Sequence, residues 1–181
     1  MVLVLIVVAA ALLCGVVLVY NRLVRLRNLT ENAWSQVDVQ LRRRYDLIPN
    51  LVQTVGTYAA HEASTFEAVA EARAGARSAG TVEEQGEAET ALTDALGRLL
   101  AVAEAYPELR SEKRFADLMD ELTETEDKIA IARHIYNDST LNYNDAVSTI
   151  PSNLVAWVAG FSPRPYFEAE ERSRSTPEVK P

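Results

Sequence analysis

Hydrophobic positions are laid out along this chain in two different ways. From Val2 to Tyr20 they are unbroken: nineteen residues without a charge, including seven Val, five Leu and one Ile. A helix of that length covers about 28 Å, the thickness of a bilayer's hydrocarbon core. The pattern predicts a membrane-spanning anchor. Past Tyr20 the apolar residues become periodic. Trp34, Val37, Leu41, Tyr45 and Ile48 recur at three- and four-residue steps, one face of a first helix continuing from the span. Pro49, with Asp46 placed to cap, predicts a turn near residues 45 to 48; a kink in one longer helix is the alternative. A second helix carries Ile48, Leu51, Val52, Val55, Tyr58, Ala59, Phe66, Val69 and Ala70 to about Ser78. Gly80 stops it, and Thr81 with Glu84 has the form of a capping box. The acidic segment Glu83 to Glu89 reads as a loop entering helix three, whose face is Leu92, Leu96, Leu99, Ala103 and Tyr106, ended by Pro107. Helix four, capped near Ser111, carries Phe115, Leu118, Leu122, Ile129, Ala132, Tyr136, Tyr143 and Val147 and ends at Pro151.

These elements predict an all-α protein in which a single transmembrane helix continues into an antiparallel four-helix bundle of long helices. Residues 1–20 form the anchor, 21–161 a cytoplasmic helical bundle, and 162–181 a disordered tail rich in proline, serine and charge. Within the bundle, Ser152 to Phe161 is a short apolar helix that caps an open end. Its Trp157, together with Phe161, Tyr166 and Phe167, also suits a membrane interface. The anchor does not read as a cleaved signal: it lacks a basic n-region, is too long, and ends without a small-x-small pair. Cys14 follows Leu13, where a lipid-attachment site needs a small residue. Ala11 and Gly15 form a small-xxx-small pair too common in membrane spans to carry weight.

Charge orients the anchor and limits the partners. Arg22, Arg25 and Arg27 follow the span directly, with no basic side chain before it, so the amino terminus is expected outside and the body in the cytoplasm of a single-pass cell-membrane protein. Residues 20 to 46 carry six Arg against three acids, and the remainder carries twelve basic against twenty-three acidic residues. An acidic body excludes nucleic acid as a partner. Arg42, Arg43 and Arg44 would lie about 35 Å from the membrane on a straight helix, several Debye lengths away, and read as a solvated face or a docking site for an acidic partner.

The run Asn32-Ala-Trp-Ser-Gln-Val-Asp-Val-Gln-Leu-Arg-Arg-Arg-Tyr-Asp-Leu-Ile-Pro-Asn-Leu-Val52 resembles the signature of the bacterial LemA family. The likeness continues through Tyr58-Ala-Ala-His-Glu62, Leu99 to Pro107, Thr125-Glu126, Tyr136-Asn137, Tyr143-Asn144, Pro151-Ser-Asn153 and Tyr166-Phe167, and departs at Ile150, where an aromatic is usual. The resemblance covers residues 20 to 168. It implies a single-pass, membrane-anchored bundle of long antiparallel helices with no established catalytic activity, and it transfers no catalytic residue.

Nor do the residues themselves spell a catalytic or metal site. Paired Glu-x-x-His motifs would hold two metals in such a bundle, but Ile131 and Tyr58 stand three residues before His134 and His61. His61-Glu62 begins a zinc-protease pattern that fails at Thr65. There is no phosphate-binding glycine loop and no Gly-x-Ser-x-Gly elbow. No cofactor or metal is therefore expected. Charges on core faces are the less bland feature. At about 100° per residue, Glu62 and Arg73 fall within the apolar face of helix two, and Arg133 falls near Leu122, with Glu126 and Asn137 at the edge. Unpaired buried charges are strongly unfavourable, so Glu62, Arg73, Glu126, Arg133, Asn137 and Asp38 are expected to form a polar network across the bundle. Tyr136-Asn-Asp138 and Tyr143-Asn-Asp145 repeat at seven residues, two helical turns, so both tyrosines face the core with their hydroxyls at its rim. The whole predicts a non-enzymatic scaffold or adaptor, bound to the bilayer through Val2 to Tyr20 and to a membrane-protein partner or a second copy. A ligand-binding module or enzyme using the polar seam is the competing class.

Overall fold

The computed structural model describes residues 1–168. Among them the regular structure is all helical, with no strand: α1 (Val2–Tyr58), α2 (Ala63–Ser78), α3 (Val82–Glu104), α4 (Pro107–Arg110), α5 (Lys113–Ser148) and α6 (Ser152–Ala159). Long α1 and α5 with short connections agree with the all-helical expectation. The turn expected at residues 45 to 48 is absent. Instead α1 runs unbroken through Pro49, and the chain turns at Ala59–Glu62.

Proline inside a helix removes one N–H and leaves the carbonyl four residues earlier without its partner. Here that carbonyl is Tyr45, and the Arg73 Nε donates to it at 2.7 Å. The guanidinium from α2 replaces the missing backbone donor, and Ile48, Leu51 and Val55 bury the helix on either side of the proline. A contact distant in sequence thus overrides the local signal. The capping box does form: Thr81 Oγ1 accepts from the Glu84 N–H at 3.2 Å, while Glu84 Oε2 accepts from Gly80 and Thr81 N–H at 2.8 and 3.2 Å. Helix α3 therefore begins at Val82, and Glu83 to Glu89 is helical where a loop was expected.

The described chain divides into two compact units, one of Met1–Val39 and Ile129–Tyr166, the other of Gln40–Lys128 with Phe167 and Glu168. In the first, Leu23, Tyr143, Ala146, Val147 and Ala156 form a core, with Val19, Leu26, Val155 and Phe161 packed against it. Trp34 and Tyr136 stack beside each other with ring centroids 5.2 Å apart. Thr30, fully buried, donates to the Leu26 and Ser139 carbonyls at 3.1 and 3.2 Å. In this unit the start of the expected disordered tail is ordered. Tyr143 and Tyr136 hydroxyls donate to the Ser162 and Pro165 carbonyls at 3.0 and 2.8 Å. Asn144 pairs with Arg164 twice, donating to its carbonyl at 2.9 Å and accepting from its N–H at 2.8 Å. Arg164 also reaches Glu31 at 2.6 Å and lies over the Tyr143 ring. Two prolines keep Ser162–Pro165 from entering a helix, and these side chains satisfy its backbone instead. The rest of the expected tail, from 169, lies outside the described residues.

The second unit has a core of its own: Leu41, Ile48, Leu51 and Val55 of α1, Val69 and Ala76 of α2, Leu92, Leu96 and Leu99 of α3, Leu109 of α4, and Phe115 and Leu122 of α5. Phe167 is buried here as well. At Gly86 the Glu168 carbonyl comes so close that a Cβ would stand 2.5 Å from it, which is why this turn of α3 carries glycine.

Candidate functional site

The second unit encloses a charge. On α1, Val37, Leu41, Arg44, Ile48, Leu51 and Val55 alternate in steps of four and three, the spacing of a helix face packed against other helices. Arg44 therefore points inward with its apolar neighbours and is 3% exposed. On α3 the series is Gln85, Glu89, Leu92, Leu96, Leu99 and Ala103, and Glu89 is 4% exposed. The two charges meet at 2.6 Å between the Arg44 guanidinium and Glu89 Oε2. The same guanidinium donates to Thr93 Oγ1 at 2.9 Å, and its Nε faces Glu126 Oε1 of α5 at 2.8 Å, an ion pair set off the line of the N–H.

Neutral donors complete the cluster. The Tyr45 hydroxyl donates to Glu89 Oε1 and accepts from Gln85 Nε2 at 2.8 Å. Gln85 Nε2 also reaches Glu89 Oε1 and the Ala76 carbonyl, both at 3.1 Å. Ala76 lies in the last turn of α2, where carbonyls lack helical partners, so Gln85 closes that helix end from the first turn of α3. Both carboxylate oxygens of Glu89 thus have donors, which helps to hold an ion pair out of water.

The electrostatics follow from this enclosure. Burial and the adjacent Glu89 carboxylate push the Tyr45 hydroxyl far above its ordinary pKa, and it stays protonated as a donor. Burial also raises the Glu126 carboxyl, opposed by Arg44 and reinforced by Glu89. Glu126 is the open end of the cluster, its side chain 43% exposed where those of Arg44 and Glu89 are 4% and 5%. As chemistry, the arrangement is a neutralised and sealed ion pair with one carboxylate at its mouth.

Of the six residues expected to form a network, two reach this one: Glu126 pairs with Arg44, and Arg73 serves the Tyr45 carbonyl. Glu62 is half-buried and opens α2 through its backbone, accepting from Thr65 and Phe66 N–H with no side-chain cap. Asp38, Arg133 and Asn137 are half-buried members of the first unit. Arg133 makes no ion pair among the described residues. Its long aliphatic stem lets an arginine start on a core face and end in water. Tyr45 stood on the predicted core face, while Arg44, Gln85 and Glu89 are the members that the hydrophobic pattern passed over. Their signal was present, because each sits on the four-three spacing of its helix. The triple-Arg run accordingly splits, with Arg42 and Arg43 exposed and Arg44 enclosed. Arg22, Arg25 and Arg27 are exposed on α1, Arg27 with its guanidinium 5.3 Å from the centre of the Phe161 ring. His61 and His134 are exposed, and no three His, Cys, Asp or Glu side chains cluster among the described residues.

The first nineteen positions of α1 form the other notable feature. The helix is long and apolar enough there to cross a membrane, and none of its most apolar window is buried.

Comparison with known sequences agrees with the resemblance in the motifs. The model of the LemA family matches residues 33–180, which include the whole charge cluster and both tyrosines. The chain is 31% identical to magnetosome proteins MamQ 1 and MamQ 2 of Paramagnetospirillum magneticum, over 90% of this chain and 69% of each relative. It is 30% identical to magnetosome protein MamQ of Magnetospirillum gryphiswaldense over the same shares.

Proposed function

The chain belongs to the LemA family, and from that premise we propose that it is a membrane-anchored, non-catalytic scaffold or adaptor whose helical body docks a membrane-protein partner or a second copy. One observation carries the proposal. A single helix is exposed and apolar over nearly all of Val2 to Tyr20 and packs one face against protein from Leu23 onward. Thirteen Val, Leu and Ile residues in the bare stretch, at about −0.3 to −0.6 kcal/mol each, favour insertion into a bilayer by several kcal/mol. Arg22, Arg25 and Arg27 then hold the following body on the cytoplasmic side. The competing reading, a ligand site or active centre in the polar seam, is disfavoured by the geometry of the charges. Arg44 and Glu89 are buried against each other, and Thr93, Tyr45 and Gln85 take further hydrogen bonds of the pair. None of the three relatives is named for a reaction.

Crosslinking in intact cells, followed by mass spectrometry, tests this function, with a chain lacking residues 1–20 as the control. A specific protein partner, or reproducible self-crosslinks, lost when the anchor is removed is the expected result. Crosslinks that persist unchanged without the anchor, or none at all, would overturn the scaffold reading and return attention to the polar seam.

A further inference from the structure

Helix α6 turns only part of its surface to the protein. Ala156 is buried and Val155 packs beside it on the first unit's core. Leu154, Trp157 and Val158, related by three- and four-residue steps, share the other face and are 65%, 83% and 78% exposed. Ile150, just before the helix, is exposed as well. Removing each of these large side chains from water is favourable. A contiguous apolar face of this kind marks an interaction surface.

Its position identifies the partner. Helix α6 is seated on the part of α1 where the uncharged run ends: Val19 and Leu26 pack on the same core as Ala156. Phe161, directly after the helix, meets the Tyr20 ring edge-on at 5.8 Å and lies beneath the Arg27 guanidinium. The bare face therefore stands at the level where α1 passes from apolar residues to Arg22, Arg25 and Arg27. The helix itself carries no charge. An isolated interfacial helix needs a charged side toward water, but the second side of α6 is already covered by protein.

We propose that α6 is a second membrane contact, lying in the boundary between lipid headgroups and acyl chains with Leu154, Trp157 and Val158 inserted. This rests on the reading of Val2 to Tyr20 as a span and adds to it. A spanning helix alone leaves tilt and rotation open, and an interfacial tryptophan beside it fixes both. The aromatic residues near α6 divide accordingly: Trp157 contacts lipid, and Phe161 joins the protein core.

The test uses the full chain reconstituted into phosphatidylcholine–phosphatidylglycerol vesicles. Flotation with the vesicles is read first, since without the span the chain has no membrane-crossing anchor. Failure to float overturns the span and with it this proposal. In chains that float, the fluorescence lost in W157F is the contribution of Trp157, since the only other tryptophan is Trp34, about 21 Å further along α1 from Tyr20. That contribution should be blue-shifted and quenched about twofold more by lipids brominated near the headgroup than by lipids brominated near the chain end, as an interfacial ring requires. A Trp157 signal quenched by aqueous iodide but by neither lipid would overturn the proposal. So would a blue-shifted signal that neither quencher reaches, which would mean that protein, such as a second copy, covers the face.

Discussion

Thr30 and Arg44 stand two heptads apart on one face of α1, with Leu23, Val37 and Leu51 at the other positions of the same register, and all five are buried. The two units handle their polar residue by opposite means. Thr30 is neutral, and backbone carbonyls of its own helix and of α5 satisfy its one donor. Such a position asks little of the rest of the sequence. Arg44 carries a charge into the second unit and is held by Glu89 and Thr93 from α3, with the more exposed Glu126 of α5 beside it. The difference teaches where stability is concentrated: the neutral site tolerates change, and the charged one fails if any deeply buried member is lost alone. R44M should therefore cost about 3–5 kcal/mol, because Glu89 is left as an uncompensated buried charge. R44M/E89M should recover most of that loss, since an apolar pair of similar volume carries no desolvation penalty. Thermal or urea unfolding of the full chain in detergent reads both. A double variant no more stable than R44M would show that the ion pair is not what the single change breaks.

The backbone of the second unit holds a related dependence, in which Arg73 completes the hydrogen bonding that Pro49 leaves unfinished. R73L should destabilise by about 1–3 kcal/mol, the range for a buried carbonyl left without a donor. In a P49A background residue 49 regains its N–H and can donate to Tyr45 itself, so the same R73L change should cost less than half as much. Equal costs in the two backgrounds would mean that Arg73 acts by packing and not by replacing the proline's missing donor.

How much of this was visible in the sequence differs between the same two regions. The apolar run and the tyrosine repeat were legible because each is a simple period: nineteen uncharged residues, and Tyr136 and Tyr143 at two turns. The charge cluster was not, because Arg44, Gln85 and Glu89 occupy core positions that a search for apolar residues skips. Their four-three spacing was the available signal. Arg73 was placed correctly on its face, but its purpose depends on Pro49, on a different helix, and local propensity there predicts a turn. Arg133 shows the converse, since its face position resembles that of Arg44 while its side chain is only half-buried. The binding of residues 162–166 also escaped, because prolines and charges resemble a solvated tail until Asn144 is seen to pair with the Arg164 backbone. N144A should loosen that segment at a cost of about 1–2 kcal/mol for two partly exposed hydrogen bonds. Faster amide exchange at Arg164, with that of α3 unchanged, is the expected signature, and unaltered exchange at Arg164 would count against the pairing.

The smallest effect is expected at the mouth of the cluster, where its sign is informative. Glu126 has its pKa raised by burial above its value in the unfolded chain. A carboxyl shifted that way favours the folded state while protonated, below the unfolded pKa, and loses that contribution as pH rises through the folded pKa. At neutral pH its ionised form is therefore a slight burden, reduced by solvent because the side chain is 43% exposed. E126Q keeps the size and removes the charge, and Arg44 retains Glu89. The variant should equal or exceed the parent in stability at pH 7, by no more than about 0.5 kcal/mol. The gap should close below about pH 4, where the parent carboxyl is protonated in both states. Paired unfolding curves across pH 3 to 8 measure it. A clear loss of stability in E126Q at pH 7 would mean that Arg44 depends on both carboxylates, and that the open member of the cluster is as necessary as the sealed one.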